Sequence, residues 1–364
     1  MRMSGTLFGY IARQFLGGVA GVFATLLCLI FVFDLVELMR RSTGKDAVTV
    51  WIVLQMAVLK LPKMVQEVMP FSILFGGMFS FWRLTRSNEL VVARSAGISV
   101  WQFLLPALSI SAAIGVIQVG LLSPISSVML SQFEKMEGAY FRGQVSALSV
   151  SSNGLWLRQG DDEGQAVIHA KRMDQATLEL QNLIVFQYEG TDKFARRLDA
   201  ATGRLGQGVW KLQQVYVSQP DVPTRFVPSY DLPTDLTIER IQDSFASPDT
   251  MSFWDLRGFI ATLEKAGFTA HRHRLHFHAQ LAVPLLLCAM VLLAATFSLR
   301  PTRRGGTGYM VAGGVVSGFM LFFVSDIVFA LGLSATIPVI LAAWTPAGVS
   351  SMLGAAMLLH LEDG

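Results

Sequence analysis

The chain has 364 residues, of which 52% are hydrophobic and only 15% are charged, and its formal net charge is +3. A typical soluble domain carries about 25% charged residues, and disordered chains are poor in apolar side chains. Composition therefore excludes a disordered polypeptide. The length of the uncharged runs excludes a purely soluble globule, so the sequence is that of an integral membrane protein.

Uncharged runs long enough to cross a membrane flank a polar middle. A helical span needs about 20 apolar residues, and six spans are predicted, of which the second, 68–82, is uncharged but short. They lie at 15–33, 68–82, 95–133, 279–299, 305–325 and 327–359, the last run being broken by Gly332 and Pro338. Lys and Arg in the short loops favour cytoplasmic termini, which predicts that the polar middle between the third and fourth spans is periplasmic.

The polar middle has the pattern of an antiparallel β domain. Turn sequences such as Asn153-Gly154 separate the strand segments, which favours a sandwich or open barrel over βαβ units. The predicted strands lie at 145–150, 155–157, 166–170, 176–189 and 209–217. Residues 251–267 predict an amphipathic helix with Ser252 as N-cap and Gly267 at its end. The predicted domains are residues 1–133, 134–270 and 271–364.

Signatures of a nucleotide-binding or catalytic centre are absent from the sequence. It contains no Walker A, G-x-S-x-G, H-E-x-x-H or C-x-x-C motif. We therefore expect no catalytic residue, metal or cofactor in this chain. The histidine-rich segment 271–278 is a poor zinc site, because a helix scatters its histidines around the axis and two arginines stand among them; a basic interfacial anchor is favoured.

Basic residues gather at the outer end of the first two predicted spans, against the positive-inside tendency. The group comprises the cations Arg40, Arg41, Lys45, Lys60 and Lys63 together with the acid Glu67, which shares a helical face with Lys60 and Lys63. Ionisable groups at membrane depth normally face a bundle interior or a wet cavity, and ammonium and guanidinium groups bind phosphate strongly. Two interpretations stay open: a receptor for an anionic lipid head group, and a solvated loop with one Lys–Glu helix pair.

A cytoplasmic segment between the second and third spans predicts a helix of nine residues. Ser87 is its expected cap, Glu89 lies in its first turn, and Gly97 ends it. Leu90 and Val91, together with the acid Glu89, would form a docking surface for a cytosolic partner. The spacing also fits a loop helix that rests on the membrane surface.

Glycines four residues apart in two spans predict close helix–helix contacts. The pairs are Gly17 with Gly21 in the first span and Gly314 with Gly318 in the fifth. In a transporter, such contacts could serve as a gate between helices.

Several segments, in order along nearly the whole chain, resemble the LptF/LptG lipopolysaccharide-export permeases, and the LptG branch most. They are residues 33–37, 61–70, 87–99, 153–158 and 251–256, together with Pro284. One departure from the family pattern is Gln280, which stands a turn before Pro284 where a basic residue is expected.

The resemblance implies a six-span inner-membrane permease with a periplasmic β-jellyroll, paired with an LptF-like chain around a cavity. ATP and Mg²⁺ would be used by a separate LptB-type ATPase dimer. The coupling segment in its groove would comprise Ser87, Glu89, Leu90, Val91, Arg94 and Gly97. Lipopolysaccharide would enter between the first and fifth spans and leave through LptC-like and LptA-like bridge proteins; nucleic acid is not an expected partner.

Two other classes of function are alternatives to this one. An ion-coupled secondary transporter of an envelope lipid would use Glu67 and Asp326 as relay acids and need no ATPase. The large β domain and the lack of repeated halves argue against it. A membrane-anchored enzyme would need a convergent acid–base or nucleophilic group, which the sequence does not offer.

Overall fold

The computed structural model divides into two compact units, Met1–Phe141 with Arg274–Gly364 and Arg142–His273. We call the first the membrane unit and the second the sheet unit. The structure describes residues 5–43, 48–142, 148–151, 154–161, 164–174, 179–189, 193–206, 208–220, 222–234, 247–265, 269–299 and 307–363.

Nine α-helices occur in the described residues. They are α1 (Gly5–Ser42), α2 (Val50–Arg86), α3 (Glu89–Ser95), α4 (Val100–Ile117), α5 (Ser123–Glu137), α6 (Phe253–Lys265), α7 (His271–Ser298), α8 (Thr307–Leu333) and α9 (Val339–Asp363). Within the described part of the chain, six helical stretches are long and apolar enough to cross a membrane: α1, α2, the run formed by α4 and α5, α7, α8 and α9. The prediction of six spans is confirmed.

The first two helices extend beyond the uncharged runs that predicted them. At 38 and 37 residues each is about 55 Å long, whereas the hydrocarbon layer is about 30 Å thick. The charges that follow residue 33 do not end α1, because they are paired. Glu37 bonds Arg40 one turn later at 2.8 Å, and Asp34 pairs with Lys60 of α2.

The third span is an irregular helix in which a π turn, Gln118–Leu122, joins α4 to α5. Pro70 inside α2 has no N–H, so the carbonyl of Gln66 four residues earlier loses its helical donor. The side-chain Nε2 of Gln118 donates to that carbonyl at 3.4 Å. The π turn therefore supplies the hydrogen bond that the proline of the neighbouring helix removes.

The core of the membrane unit is centred on α7. In the apolar stretch that could cross the membrane, 61% of the α7 residues are buried, compared with 6% in α1 and 11% in α8. The largest apolar cluster combines residues of α1, α2, α3, α4, α7 and α9, with the rings of Phe15 and Phe81 stacked at 5.9 Å. Consequently α1 and α8 leave most of their apolar surface uncovered by this chain.

The contact between α1 and α2 depends on Gly18 and Gly76. A Cβ atom on Gly76 would lie 2.5 Å from the Cα of Val19, and one on Gly18 would lie 2.9 Å from the Gly76 carbonyl oxygen. Gly17 and Gly21, which the spacing predicted at a close contact, face open space within this chain. The close approach is therefore one residue away from the predicted pair.

Replacing Gly76 by alanine is expected to destabilise the chain by about 1–3 kcal/mol, because the added methyl group meets backbone and not a movable side chain. The matched change Gly17→Ala adds the same methyl group in open space, so it should be neutral or slightly stabilising. Thermal unfolding of the two variants in detergent compares them. Equal melting temperatures would contradict the assigned contact.

The sheet unit is built on one antiparallel sheet whose seven strands pair in chain order. They are β1 (Leu148–Ser151), β2 (Gly154–Asp161), β3 (Gly164–Asp174), β4 (Glu179–Glu189), β5 (Lys193–Leu205), β6 (Val209–Gln219) and β7 (Val222–Pro233). The predicted antiparallel class is confirmed, but β5 and β7 were missed. β5 is rich in charge and β7 contains three prolines, which an edge strand tolerates.

The sheet curls until its second strand meets the end of its seventh. Gln159 on β2 donates from Nε2 to the carbonyl of Pro233 at 2.9 Å and accepts from Thr234 Oγ1 at 2.7 Å. Positive φ angles at Asn182 and Gln214 coincide with skipped positions in the strand register, as expected where strands bend. This curvature gives the sheet an apolar inner face.

Helix α6 packs on that inner face through Leu263, together with Phe259 and Ile260. Its predicted N-cap is confirmed, since Ser252 Oγ accepts the Asp255 N–H at 3.2 Å. The predicted C-terminal glycine and the turn residue Asn153 lie outside the described residues. The helix thus covers part of the sheet's apolar interior.

Candidate functional site

The basic residues predicted at the outer end of the first two spans lie in a network of ion pairs. We call this network the outer ionic cluster. It comprises Asp34, Glu37, Arg40 and Arg41 of α1, Lys60, Lys63 and Glu67 of α2, and Glu137 of α5. Four cations meet four carboxylates, so these eight side chains have no net charge. Lys45, the sixth predicted member, lies outside the described residues.

The pairs differ in how far they are removed from solvent. Asp34 is 13% exposed and pairs with Lys60, while its second oxygen, Oδ2, is buried and accepts no hydrogen bond from any described residue. Arg40 at 76% exposure bonds Glu37 at 2.8 Å on the surface. Exposed pairs contribute little free energy, whereas breaking a buried pair is costly. Arg40 is therefore the easiest cation of the cluster to release.

Aromatic rings and a third helix hold two of the other cations. Arg41 donates to Glu137 of α5 at 2.7 Å, and its guanidinium lies over Phe141 with 5.2 Å to the ring centroid. The ammonium of Lys60 lies 5.7 Å from the centroid of Phe133. The cluster therefore ties the outer ends of α1, α2 and the third span together.

Helix α3 lies at the opposite end of the bundle, against the first turns of α1. Tyr10 donates from its hydroxyl to Glu89 Oε1 at 3.2 Å, and Ser87 Oγ donates to the same oxygen at 2.9 Å. The other carboxylate oxygen, Oε2, accepts no hydrogen bond within the described part of the chain. Because Tyr10 and Asp34 are 24 residues apart on one helix, about 36 Å separates α3 from the outer ionic cluster.

The helix differs in three respects from its prediction. It has seven residues instead of nine. Its N-cap is Asn88 in the left-handed conformation, while Ser87 closes the end of α2 by donating to the Arg83 carbonyl at 3.0 Å. Leu90 is 4% exposed and anchors the helix to the bundle core, so it is not offered to a partner.

The surface that α3 presents is formed by its remaining side chains. Val91 and Val92 are 58% and 65% exposed, and Arg94 is exposed beside them. Gly97, with φ of +81°, reverses the chain after the helix, as a left-handed C-terminal glycine does. Two exposed valines between an acid and a base form a small apolar patch with charges at its edges.

The histidine-rich segment forms the start of α7. His273 is buried against Phe259, with ring centroids 5.1 Å apart, and His276 bonds Gln280 at 2.7 Å. Gln280 also accepts from Ser123 Oγ at 3.3 Å. Among the described residues, no three His, Cys, Asp or Glu side chains are placed to share a metal ion.

The fifth span carries the second predicted glycine pair. Gly314 faces Met78 of α2, and a Cβ on Gly318 would lie 2.9 Å from Leu74 Cδ2. This pair brings α8 close to α2 as the spacing predicts, unlike Gly17 and Gly21. The uncovered surfaces of α1 and α8 lie on their other sides.

Sequence reasoning missed the carboxylates Asp34, Glu37 and Glu137 as members of the cluster, and Tyr10 as a partner of Glu89. The spacing of Glu37 and Arg40, three residues apart on one helix, is a readable signal. The other contacts join residues between 26 and 96 positions apart. Only the packing of the helices reveals them.

Comparisons with known proteins agree with this architecture. A family model described as "Lipopolysaccharide export system permease LptF/LptG" matches residues 9–360. The lipopolysaccharide export system permease protein LptG of Haemophilus influenzae is 24% identical over 358 residues, which cover 94% of this chain and 95% of the relative. The protein of the same name in Escherichia coli K12 is 25% identical over 311 residues, covering 83% and 84%.

Proposed function

This chain belongs to the LptF/LptG family, the inner-membrane permeases of the lipopolysaccharide export system, and we propose that it lifts lipopolysaccharide from the outer leaflet of the inner membrane. It would pass the lipid to a periplasmic β-jellyroll bridge of LptC-like and LptA-like proteins. We place both termini and α3 in the cytoplasm and the sheet unit in the periplasm, which agrees with the Lys and Arg of the short loops.

The observation that carries this proposal is the outer ionic cluster. Lipopolysaccharide has a phosphorylated head and several acyl chains, so its receptor needs cations beside apolar surface. Arg40 can exchange Glu37 for a phosphate at little cost, because its present pair is exposed. A guanidinium binds phosphate through two parallel hydrogen bonds. Arg40 would make the first contact, and Arg41, Lys60 and Lys63 would follow; Lys45 stays a candidate from the sequence alone.

The energy for extraction would come from a separate LptB-type ATPase dimer that uses ATP and Mg²⁺. Transferring each lipid methylene into water costs about 0.8 kcal/mol, so a multi-chain lipid cannot leave the bilayer unaided. Helix α3 supports this coupling, because Val91 and Val92 are exposed while Glu89 is held by Tyr10 and Ser87. An LptF-like permease would complete the cavity.

Reversing the charge of Arg40 tests whether the outer ionic cluster binds the substrate. Arg40→Glu should reduce the lipopolysaccharide extracted from proteoliposomes per ATP hydrolysed by about tenfold, since one charge-assisted phosphate contact is worth about 1.5 kcal/mol. Extraction is measured with the complete transporter and a periplasmic acceptor. Arg40→Lys keeps the charge and should retain most of the extraction.

Two results would contradict the proposal. Unchanged extraction by Arg40→Glu would remove Arg40 from the lipid path. Transport of lipopolysaccharide by this chain alone on an ion gradient, without ATP or any ATPase, would place it in the secondary transporters instead.

A further inference from the structure

Helix α8 carries one acidic residue, Asp326, inside an apolar span. Asp326 is exposed and lies seven residues before the end of the helix at Leu333, which places it about 10 Å inside the span. A charged side chain facing lipid is strongly unfavourable, so such groups face a protein partner or water. Asp326 therefore needs water or a partner from outside the described part of this chain.

The chain itself shows how it accommodates an acid of this kind. Asp34, about 12 Å before the end of α1, is paired with Lys60 of the adjacent helix. No described cation lies within ion-pair distance of Asp326. The arginines at 300–304 precede the other end of α8, whose first residue, Thr307, is 19 residues or about 28 Å away.

The exposed side chains around Asp326 have the spacing of a helix face that packs against another helix. The exposed side chains that flank it recur at alternating steps of four and three residues: Phe319, Phe323, Asp326, Ala330 and Leu333. Phe319 and Phe323 are 68% and 63% exposed. This is the spacing of a helix–helix seam, in which one polar position fixes register and partner. The inner face of α8 is already used, since Gly314 and Gly318 pack on α2.

We propose that Asp326 forms an ion pair, within the membrane, with a lysine or arginine on a spanning helix of the second permease subunit. This inference rests on the proposed function, which supplies that subunit. Charge complementarity selects the occupant, because a phosphate-bearing lipid would be repelled by the carboxylate. The two least covered spans, α1 and α8, are where a second permease can attach.

The test uses the complete transporter, purified through a tag on this chain. Asp326→Asn should lower the second permease recovered per tagged chain by about 3- to 30-fold in detergent, and Asp326→Lys should lower it further. The matched variant Asp34→Asn removes an acid paired inside the chain. It should lower the melting temperature of the full chain, which Asp326→Asn should not, and leave recovery of the second permease unchanged.

Photo-cross-linking locates the partner directly. A photo-reactive amino acid in place of Phe323 should capture the second permease in cell membranes, and one in place of Met352, which is 75% exposed on α9, should not. Capture of lipid only, or of another copy of this chain, overturns the inference.

The outcomes separate this inference from the proposed function. If wild-type protein recovers a second permease and an ATPase while Asp326→Asn recovers equal amounts, the ion pair is wrong and the function stands. If wild-type protein recovers no second permease, the proposed function itself fails.

Discussion

The variant Glu89→Lys is expected to lose the ATPase partner, with at least about 30-fold less ATPase recovered per permease. An interfacial charge pair that is broken costs about 2 kcal/mol or more, and reversal adds repulsion. Both described hydrogen bonds to Glu89 use Oε1, which leaves Oε2 to accept from a cation of the ATPase. Co-purification and ATP hydrolysis by the purified complex measure the loss.

Two controls separate coupling from folding in that experiment. Leu90 and Ala93 hold α3 to the bundle, so Glu89→Lys should leave the melting temperature of the full chain within a few degrees of wild type. Tyr10→Phe removes one hydrogen bond to the carboxylate and keeps its charge, so it should retain the ATPase. Normal lipopolysaccharide export by cells carrying Glu89→Lys would rule out the assigned role of α3.

The variant Lys60→Glu is expected to destabilise the chain by about 2 kcal/mol, because it leaves Asp34, which is 13% exposed, beside a second carboxylate in a partly buried site. Thermal unfolding in detergent measures the effect. The comparison change Glu67→Gln removes the charge of a carboxylate that is 63% exposed and lies 3.9 Å from Lys63. It should cost less than about 1 kcal/mol.

Exchanging the partners tests whether the pair itself is responsible. The double variant Asp34→Lys with Lys60→Asp restores opposite charges at the same two positions. It should recover much of the stability that Lys60→Glu loses. If Lys60→Glu and Glu67→Gln unfold at the same temperature, the partly buried Asp34–Lys60 pair does not stabilise the bundle.

Hydropathy predicted the six spans because apolar runs are the dominant signal in a membrane protein. It underestimated α1, since Asp34 and Glu37 resemble the end of a span until their cations are known. The strand β5, with the sequence KFARRLDAATGRL, was missed because its charges hide the alternation. In the sheet, Leu198 and Ala200 of that strand are buried in the core.

The sequence predicted the cations of the candidate site but, apart from Glu67, not the carboxylates with which they pair. The cations at 40, 41, 60 and 63 are visible as a charge pattern, whereas their carboxylate partners come from other helices. Likewise, spacing marked Glu89 and Val91 but could not show that Leu90 faces inward. Single-helix spacing reports which residues share a face; it does not report which neighbour that face meets.

The exposed salt bridge between Arg40 and Glu37 bears on turnover under the proposed function. A phosphate that binds there would substitute for a carboxylate already in place, so capture would be an exchange between competing anions with a small net affinity. The displaced carboxylate remains tethered nearby and can reclaim the guanidinium once the cargo shifts. A carrier that must surrender its load in every cycle would gain from such a built-in competitor, which would speed unloading without a dedicated release step.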